Sequence, residues 1–251
     1  MRLAELSWVE AREAIRGARV ALLPIGATEQ HGPHLPLGTD WFIAERIAER
    51  ASEAGGWLVL PAVPVGVSEG HRQFWGTLWL CPDLLRAHVV AIARVLAFHD
   101  LRRIVFVNGH GGNCAGLDEA VRILHSEHIH AYVHNWWIAN KSLLEELFPD
   151  STAHAGSMET SAMLAIDPSL VNQDRFKDAS SVVQWGKRVE GVEVGMDTID
   201  FSEEGNVGDP SLADPEKGRA LIEAAAEGLD RFCTWLAEQP EDALAPKPHK
   251  T

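Results

Sequence analysis

Residues 20–40 read V-A-L-L-P-I-G-A-T-E-Q-H-G-P-H-L-P-L-G-T-D. Val20 to Ile25 is a short apolar run of the length of a buried strand. Downstream, Trp41 to Arg50 has helical periodicity, with Thr39 or Asp40 placed to cap it. Between the two lie two carboxylates (Glu29, Asp40) and two imidazoles (His31, His34). Pro33, Pro36, Gly26, Gly32 and Gly38 shape the backbone that carries them. The stretch is therefore a strand, a rigid polar loop and a helix start. Carboxylate and imidazole ligands on a stiff loop suit a divalent metal such as zinc, manganese or iron. Glu29 and His31 stand two apart, so in a locally extended segment they point the same way. The loop is expected to be half of a metal site.

Outward from this loop the chain alternates strand and helix. A surface helix is expected over 3–16, with Ser7 as its cap, and a helix over about 40–54 stops at Gly55-Gly56. Trp57 to Leu60 is a short apolar run closed by Pro61, followed by the loop Gly66–Thr77. Pro82 to His99 is the next helix, with Pro82 suited to its first turn and Leu84, Leu85, Val89, Ile92, Val95 and Leu96 on one face. Ile104–Val107 is a β-branched run that enters N-G-H-G-G-N at 108–113, ahead of a helix over about 114–127. Ile129–Val133 is a further strand, followed by Asn135-Trp136-Trp137, a helix over about 138–147, a polar loop and a short helix over 156–166. Residues 167–210 read as loop, 215–237 as a long helix, and 238–251 as a flexible tail. The strands are too apolar to alternate, which predicts an α/β fold: a three-layer α/β/α arrangement around a largely parallel sheet. Residues 1–237 are expected to form one domain, since no linker interrupts them.

At 251 residues the chain can bury a substantial core. Its net charge of -14, from 36 acidic and 22 basic residues, argues against nucleic acid or an anionic membrane as partner. No apolar run approaches the roughly 20 residues that span a bilayer. The N-terminus carries acids where a signal peptide needs an apolar stretch. Three cysteines without CxxC spacing fit a reducing, cytoplasmic setting better than a disulfide framework.

In a parallel sheet, ligands bind beyond the carboxyl ends of the strands. The loops 29–40, 68–77, 108–113 and 135–137 each follow a strand, so they are expected to converge on one rim. His110 sits among glycines that can present its ring at a fixed angle. A phosphate-cradling turn is disfavoured there, because the Lys-Ser/Thr of a P-loop is missing. His154 precedes Glu159 by five residues, and Glu159 falls in the first turn of a helix, where an acid is also favoured by the dipole alone. Glu29, His31, Asp40, His110 and Glu159 make five candidate ligands. One metal needs three or four protein groups; five, including a carboxylate able to bridge, suit two metals. Trp136 and Trp137 are open between walling a pocket and packing in the core, and Ser68 and His71 between facing a substrate and bracing their loop. His34 reads as a structural residue. His88, His99, His125, His128, His130 and His249 read as surface or helix-face residues, and Cys114 as a packing residue.

Taken together, E-Q-H-G-P-H-L-P-L-G-T-D at 29–40, S-E-G-H-x-x-F-x-G-T at 68–77, V-N-G-H-G-G-N at 107–113, H-A-G-x-x-E-T-S at 154–161 and G-x-x-G-D-P-S-L-A at 205–213 resemble the creatininase (creatinine amidohydrolase) family. The resemblance covers about residues 3–237. It implies a creatininase-like fold and two divalent metal ions (zinc, manganese or iron), with Glu29 and His110 on one, His31 on the other and Asp40 bridging. It also implies hydrolysis of a C–N bond in a small, possibly cyclic substrate by a metal-bridging hydroxide, with His154 as the catalytic proton donor and Ser68, His71, Trp136 and Trp137 on the substrate side. A homo-oligomer is expected, since hexamers occur in creatininase itself. In creatininase the second metal takes a glutamate two residues after the histidine matched by His110. That position is Gly112 here, and Glu159 is the natural replacement, with a catalytic as well as a ligating role. Trp75 stands where the family usually has proline. The alternatives are a relative acting as a formamide deformylase, a peptide-trimming enzyme or a hydrolase of a sugar derivative, or a metal-holding binding protein without turnover.

Overall fold

The computed structural model describes residues 1–149, 154–247 and 250. The elements run α1 (Trp8–Gly17), β1 (Ala21–Ile25), α2 (Thr39–Gly55), β2 (Leu58–Val59), α3 (Pro82–Phe98), β3 (Arg103–Asn108), α4 (Cys114–Ser126), β4 (His130–Asn135), α5 (Trp136–Ala139), α6 (Lys141–Leu147), α7 (Ser157–Ile166), β5 (Arg188–Val189), β6 (Val192–Glu193), α8 (Pro215–Glu238) and α9 (Glu241–Leu244). Four strands form a parallel sheet in the order β2-β1-β3-β4.

Alternate residues of the central strands feed two separate cores. Leu22, Val105 and Val107 pack with Ile43 and Ile47 of α2, Met163 of α7 and Leu221 and Leu229 of α8. Leu23, Ile25, Ile104 and Phe106 pack on the other face with Leu85 and Val89 of α3 and Leu117 and Leu124 of α4. This is the three-layer arrangement the strands predict: burial on both faces leaves no reason for polar alternation. Pro24 survives inside a central strand because of where its missing N–H falls. The carbonyls of Val20 and Leu22 face β2, so residue 24 faces the same edge, beyond the last paired residue of β2.

Boundaries depart from the sequence reading in places. The first helix begins at Trp8, on the expected Ser7 cap, which forms a capping box with Glu10; Leu3–Glu5 is a separate 3-10 turn. The helix expected over 138–147 is two short helices that meet at Asn140. The loop reading of 167–210 omits the two-stranded β5–β6 hairpin. The tail expected to be flexible from residue 238 is docked over its first part. Leu244 is buried in the core, and Glu241 pairs with Arg103 at 2.9 Å and with His130 at 2.7 Å. His130 is accordingly buried rather than at the surface. His249 and part of the polar loop after residue 149 lie outside the described residues.

Candidate metal centre

The four loops do converge at the carboxyl edge of the sheet. The loop after β1 delivers Glu29 and His31, and Asp40 follows in the first turn of α2. The loop after β3 delivers His110, and α7 delivers Glu159 from its first turn. All five are buried, as are Ser68, His71 and His154. His31 Nε2 is 3.0 Å from Asp40 Oδ1 and 3.9 Å from Glu159 Oε2. His110 Nδ1 is 3.0 Å from Asp40 Oδ2, and its Nε2 is 3.3 Å from Glu29 Oε2. Each of the sets Glu29/Asp40/His110 and His31/Asp40/Glu159 places its ligand atoms within 4.8 Å of one another. Asp40 belongs to both. A third such set, Glu29/His31/His154, overlaps them.

The donor set fits divalent cations. Among the described residues, Glu29 Oε1, Glu29 Oε2 and Asp40 Oδ2 are buried carboxylate oxygens with no well-aligned hydrogen-bond donor, although imidazoles stand close to them. Buried charge without partners is costly, and hard cations are the partners such oxygens lack. The electrostatics of these side chains point the same way. Burial raises Glu29, and burial with the nearby Asp40 charge raises Glu159 to about 7 against the pull of His31. Burial opposes charge on His31, yet Asp40, Glu159 and Glu29 overcome it and lift the imidazole to about 10. Burial likewise opposes charge on His110, and Glu29 and Asp40 lift it to about 9. Burial would raise Asp40, but its two imidazole neighbours hold it below the usual carboxylate range. Protons on His31 and His110 thus supply the positive charge that metal ions would bring.

Two further imidazoles flank this cluster as neutral groups. Burial, then the neighbouring His110 and His31, pushes His71 down to about 3. Burial and the charges of His31 and His71 hold His154 well below its ordinary value. His34 stands aside, hydrogen-bonded through Nε2 to Thr160 Oγ1 at 3.0 Å. Gly112 is closed to a side chain. A Cβ there would stand 2.2 Å from the Val67 carbonyl oxygen and 2.5 Å from His110 Nε2, so Glu159 reaches the cluster from α7 instead.

Above the cluster opens a cavity of about 1110 Å³. Both tryptophan readings hold at once: Trp136 is buried in the core and Trp137 packs against it edge-to-face, and both line the cavity. Trp75, by contrast, is 98% exposed and makes no part of this wall. Cys114 is half-buried, and burial raises its thiol rather than acidifying it. The sequence reading passed over Gln30 and Trp185. Trp185 sits 5.9 Å from the His71 ring and 5.6 Å from the His154 ring and lines the cavity. Gln30 touches both rings. A tryptophan inside a glycine-bearing loop was the available signal for the first. Nothing local marks the second.

Residues 4–233 match the family model described as creatininase, creatinine amidohydrolase. The chain is 33% identical over 238 residues to a mycofactocin precursor peptide peptidase of Mycobacterium tuberculosis, covering 89% of this chain and 88% of that one. It is 32% identical over 246 residues to a creatinine amidohydrolase of Pseudomonas putida, with 90% and 93% covered. A crystal structure of creatinine amidohydrolase (creatininase) superposes with a TM-score of 0.80 at 28% identity, over 95% of this chain and 98% of that chain. A manganese creatininase superposes with a TM-score of 0.77 at 28% identity, over 92% and 96%.

Proposed function

The chain belongs to the creatininase family of metal-dependent amidohydrolases, and within that family we propose that it hydrolyses a linear amide in a substrate of peptide-like size. The observation that carries this reading is the cavity. Ligand pockets of roughly 300–1,000 Å³ enclose drug-sized molecules, and at about 1110 Å³ this one exceeds what a single small ring fills. Its wall is largely apolar, built by Trp136, Trp137, Leu144, Phe148, Met158 and Trp185. Such a wall buries side chains on either side of a scissile amide. Similarity to a peptide-processing relative agrees with this reading. A small cyclic amide is the second reading, favoured by the comparable identity to a creatinine amidohydrolase.

In this proposal Glu29, Asp40 and His110 hold one divalent ion, and His31, Asp40 and Glu159 hold another. When bound, the ions polarise the substrate carbonyl and render water nucleophilic near neutral pH. The residues do the rest. His154 Nδ1 faces Glu29 Oε1 at 3.8 Å and is placed to take the proton released as water adds. It passes that proton to the leaving nitrogen as the C–N bond breaks, and the remaining acid proton moves to the freed amine, yielding a carboxylate and an ammonium group. Ser68 Oγ, buried and without a well-aligned partner among the described residues, and His71 Nε2 are placed to hold the carbonyl side of the substrate. Trp137 and Trp185 keep bulk water out. Homo-oligomerisation belongs to the same proposal; exposed Trp75 and Phe98 supply apolar surface for it.

The test is a product assay on protein loaded with manganese or zinc. Short peptides, N-acyl amino acids and creatinine are offered in parallel, and new primary amine or creatine is measured. Turnover of linear amides with creatinine untouched supports the first reading, and the reverse result supports the second. A metal-loaded protein that cleaves neither class would leave the non-catalytic reading standing.

A further inference from the structure

Gln30 lies between two of the proposed ligands, yet its side chain turns away from them. Its amide orientation is fixed by two backbone groups that cannot change roles. Oε1 accepts from the Gly32 N–H at 2.9 Å, and Nε2 donates to the Gly205 carbonyl at 3.0 Å. A flipped amide would set donor against donor and acceptor against acceptor. Gly205, at φ +85°, closes directly onto this amide; a Cβ there would stand 1.9 Å from Oε1.

One amide N–H remains, and two imidazole nitrogens stand within its reach: His71 Nδ1 at 2.7 Å and His154 Nε2 at 2.9 Å. His154 Nε2 is also 3.0 Å from the Gln30 carbonyl oxygen, which can only accept. His71 Nδ1 is also 3.2 Å from the Thr198 hydroxyl, which can donate or accept and so fixes no tautomer by itself. One assignment gives both the Gln30 carbonyl and the remaining Gln30 N–H a partner. His154 carries its proton on Nε2 and donates it to the Gln30 carbonyl, and the free amide N–H goes to the His71 Nδ1 lone pair. His71 then carries its proton on Nε2, the nitrogen 3.5 Å from Glu29 Oε1. The opposite tautomer of His154 would orphan a buried carbonyl.

We propose that Gln30 is a positioning residue that sets the tautomers of both flanking imidazoles, leaving His154 Nδ1 as a free acceptor and His71 Nε2–H as a fixed donor, both on the Glu29 side of their rings. One residue thereby gives a proton carrier through its backbone and an oxyanion-side donor through its side chain. The two arms are separable: replacing the side chain releases His71 and leaves His154 anchored. The proposal rests on the amide-hydrolysis reading only for its kinetic consequence, because the tautomers exist without turnover.

The experiment is a long-range ¹H–¹⁵N spectrum of the zinc-loaded protein labelled at histidine, with signals assigned through His71→Phe and His154→Phe. Wild type is expected to show His71 and His154 each protonated at Nε2 alone. In Gln30→Met, His71 should become a tautomer mixture while His154 is unchanged. In Gln30→Glu, whose carboxylate faces the ring, the His71 proton should move to Nδ1. Kinetically, Gln30→Met should lower kcat about 10-fold at unchanged metal content, and the Gln30→Met/His71→Phe double variant should be no slower than His71→Phe. A wild-type His71 protonated at Nδ1, a wild-type His154 protonated at Nδ1, or rate losses that multiply in the double variant would each overturn the assignment. If no amide is cleaved by wild type, the proposed function fails and the spectra still decide this one.

Discussion

Asp40 carries more of the proposed centre than any other side chain. It is the one residue common to both ligand sets, with Oδ1 toward His31 and Oδ2 toward His110. Asp40→Ala should therefore lose both metal equivalents, whereas Glu159→Gln should lose one and keep the Glu29/Asp40/His110 ion. Elemental mass spectrometry of chelator-free protein measures this; equal losses in the two variants would contradict a shared ligand. His154 is predicted to separate cleanly from the ligands. His154→Ala should cost about 10²–10⁴-fold in kcat with metal content unchanged, and a variant that loses metal instead would make His154 a ligand. These residues were legible in the sequence because metal chemistry accepts few side-chain types, and acid or imidazole recurs in three of the four loops that follow strands. Gln30 was not. Its partners stand 41, 124 and 175 positions away, and an amide has no chemistry that announces itself without them. Glu159 was half-legible, since a helix-start acid has a local explanation. His154 five residues before it, the other acid- and histidine-bearing loops and the gap at Gly112 argued for more.

At the level of elements, the centre depends on how tightly α7 is held, because α7 alone brings its ligand from outside the strand loops. Gly218 lets α8 lie against it. A Cβ at 218 would stand 1.9 Å from the Ser161 carbonyl oxygen and 2.3 Å from its carbonyl carbon, and backbone cannot yield to it cheaply. Gly218→Ala should destabilise by about 1–3 kcal/mol through overpacking and weaken metal retention by displacing Glu159. Gly228 in the same helix is the control. A Cβ there meets nothing nearer than an Arg231 nitrogen at 3.8 Å, so alanine should stabilise by about 0.5–1 kcal/mol through helix propensity alone. Thermal melts of the two variants, with metal content measured beside them, check the pair; matched responses would remove the close α7–α8 contact from the account. The long helix itself was legible over 215–237, and it starts on an Asp214 cap followed by Pro215. The β5–β6 hairpin was not, because two-residue strands offer no periodicity and the turn at Glu190-Gly191 lacks the usual Asn-Gly signature.

Across the whole molecule, stability should follow both pH and metal. Burial pushes His134 down to about 4, and its Nε2 has no hydrogen-bond partner among the described residues. It is neutral in the fold and takes up a proton near pH 6.5 once unfolded, so its contribution is complete above about 6.5 and is lost as pH falls toward 4. Acid lowers stability through this group by about 1–3 kcal/mol. The difference between wild-type and His134→Phe denaturation curves isolates it, since metal loss affects both alike; parallel curves between pH 4 and 6.5 would remove His134 from the acid response. Metal acts at the carboxyl edge of the same sheet. Without it, the fold confines three carboxylates below a tenth exposed, two of them with oxygens that have no well-aligned donor among the described residues, and the unfolded chain has no such cost. Any ion that binds only the folded state adds RT ln(1 + [L]/Kd), about 2.7 kcal/mol at a hundredfold excess over Kd. For a domain of this size each kcal/mol moves the melting temperature by about 2–4 °C. Chelation should therefore lower Tm by about 5–10 °C per ion removed, restored stepwise as manganese or zinc is titrated back. Asp40→Ala should melt at one temperature with or without chelator. If wild type did the same, the orphaned oxygens would be paired in some other way, and the electrostatic case for the metal centre would fall with them.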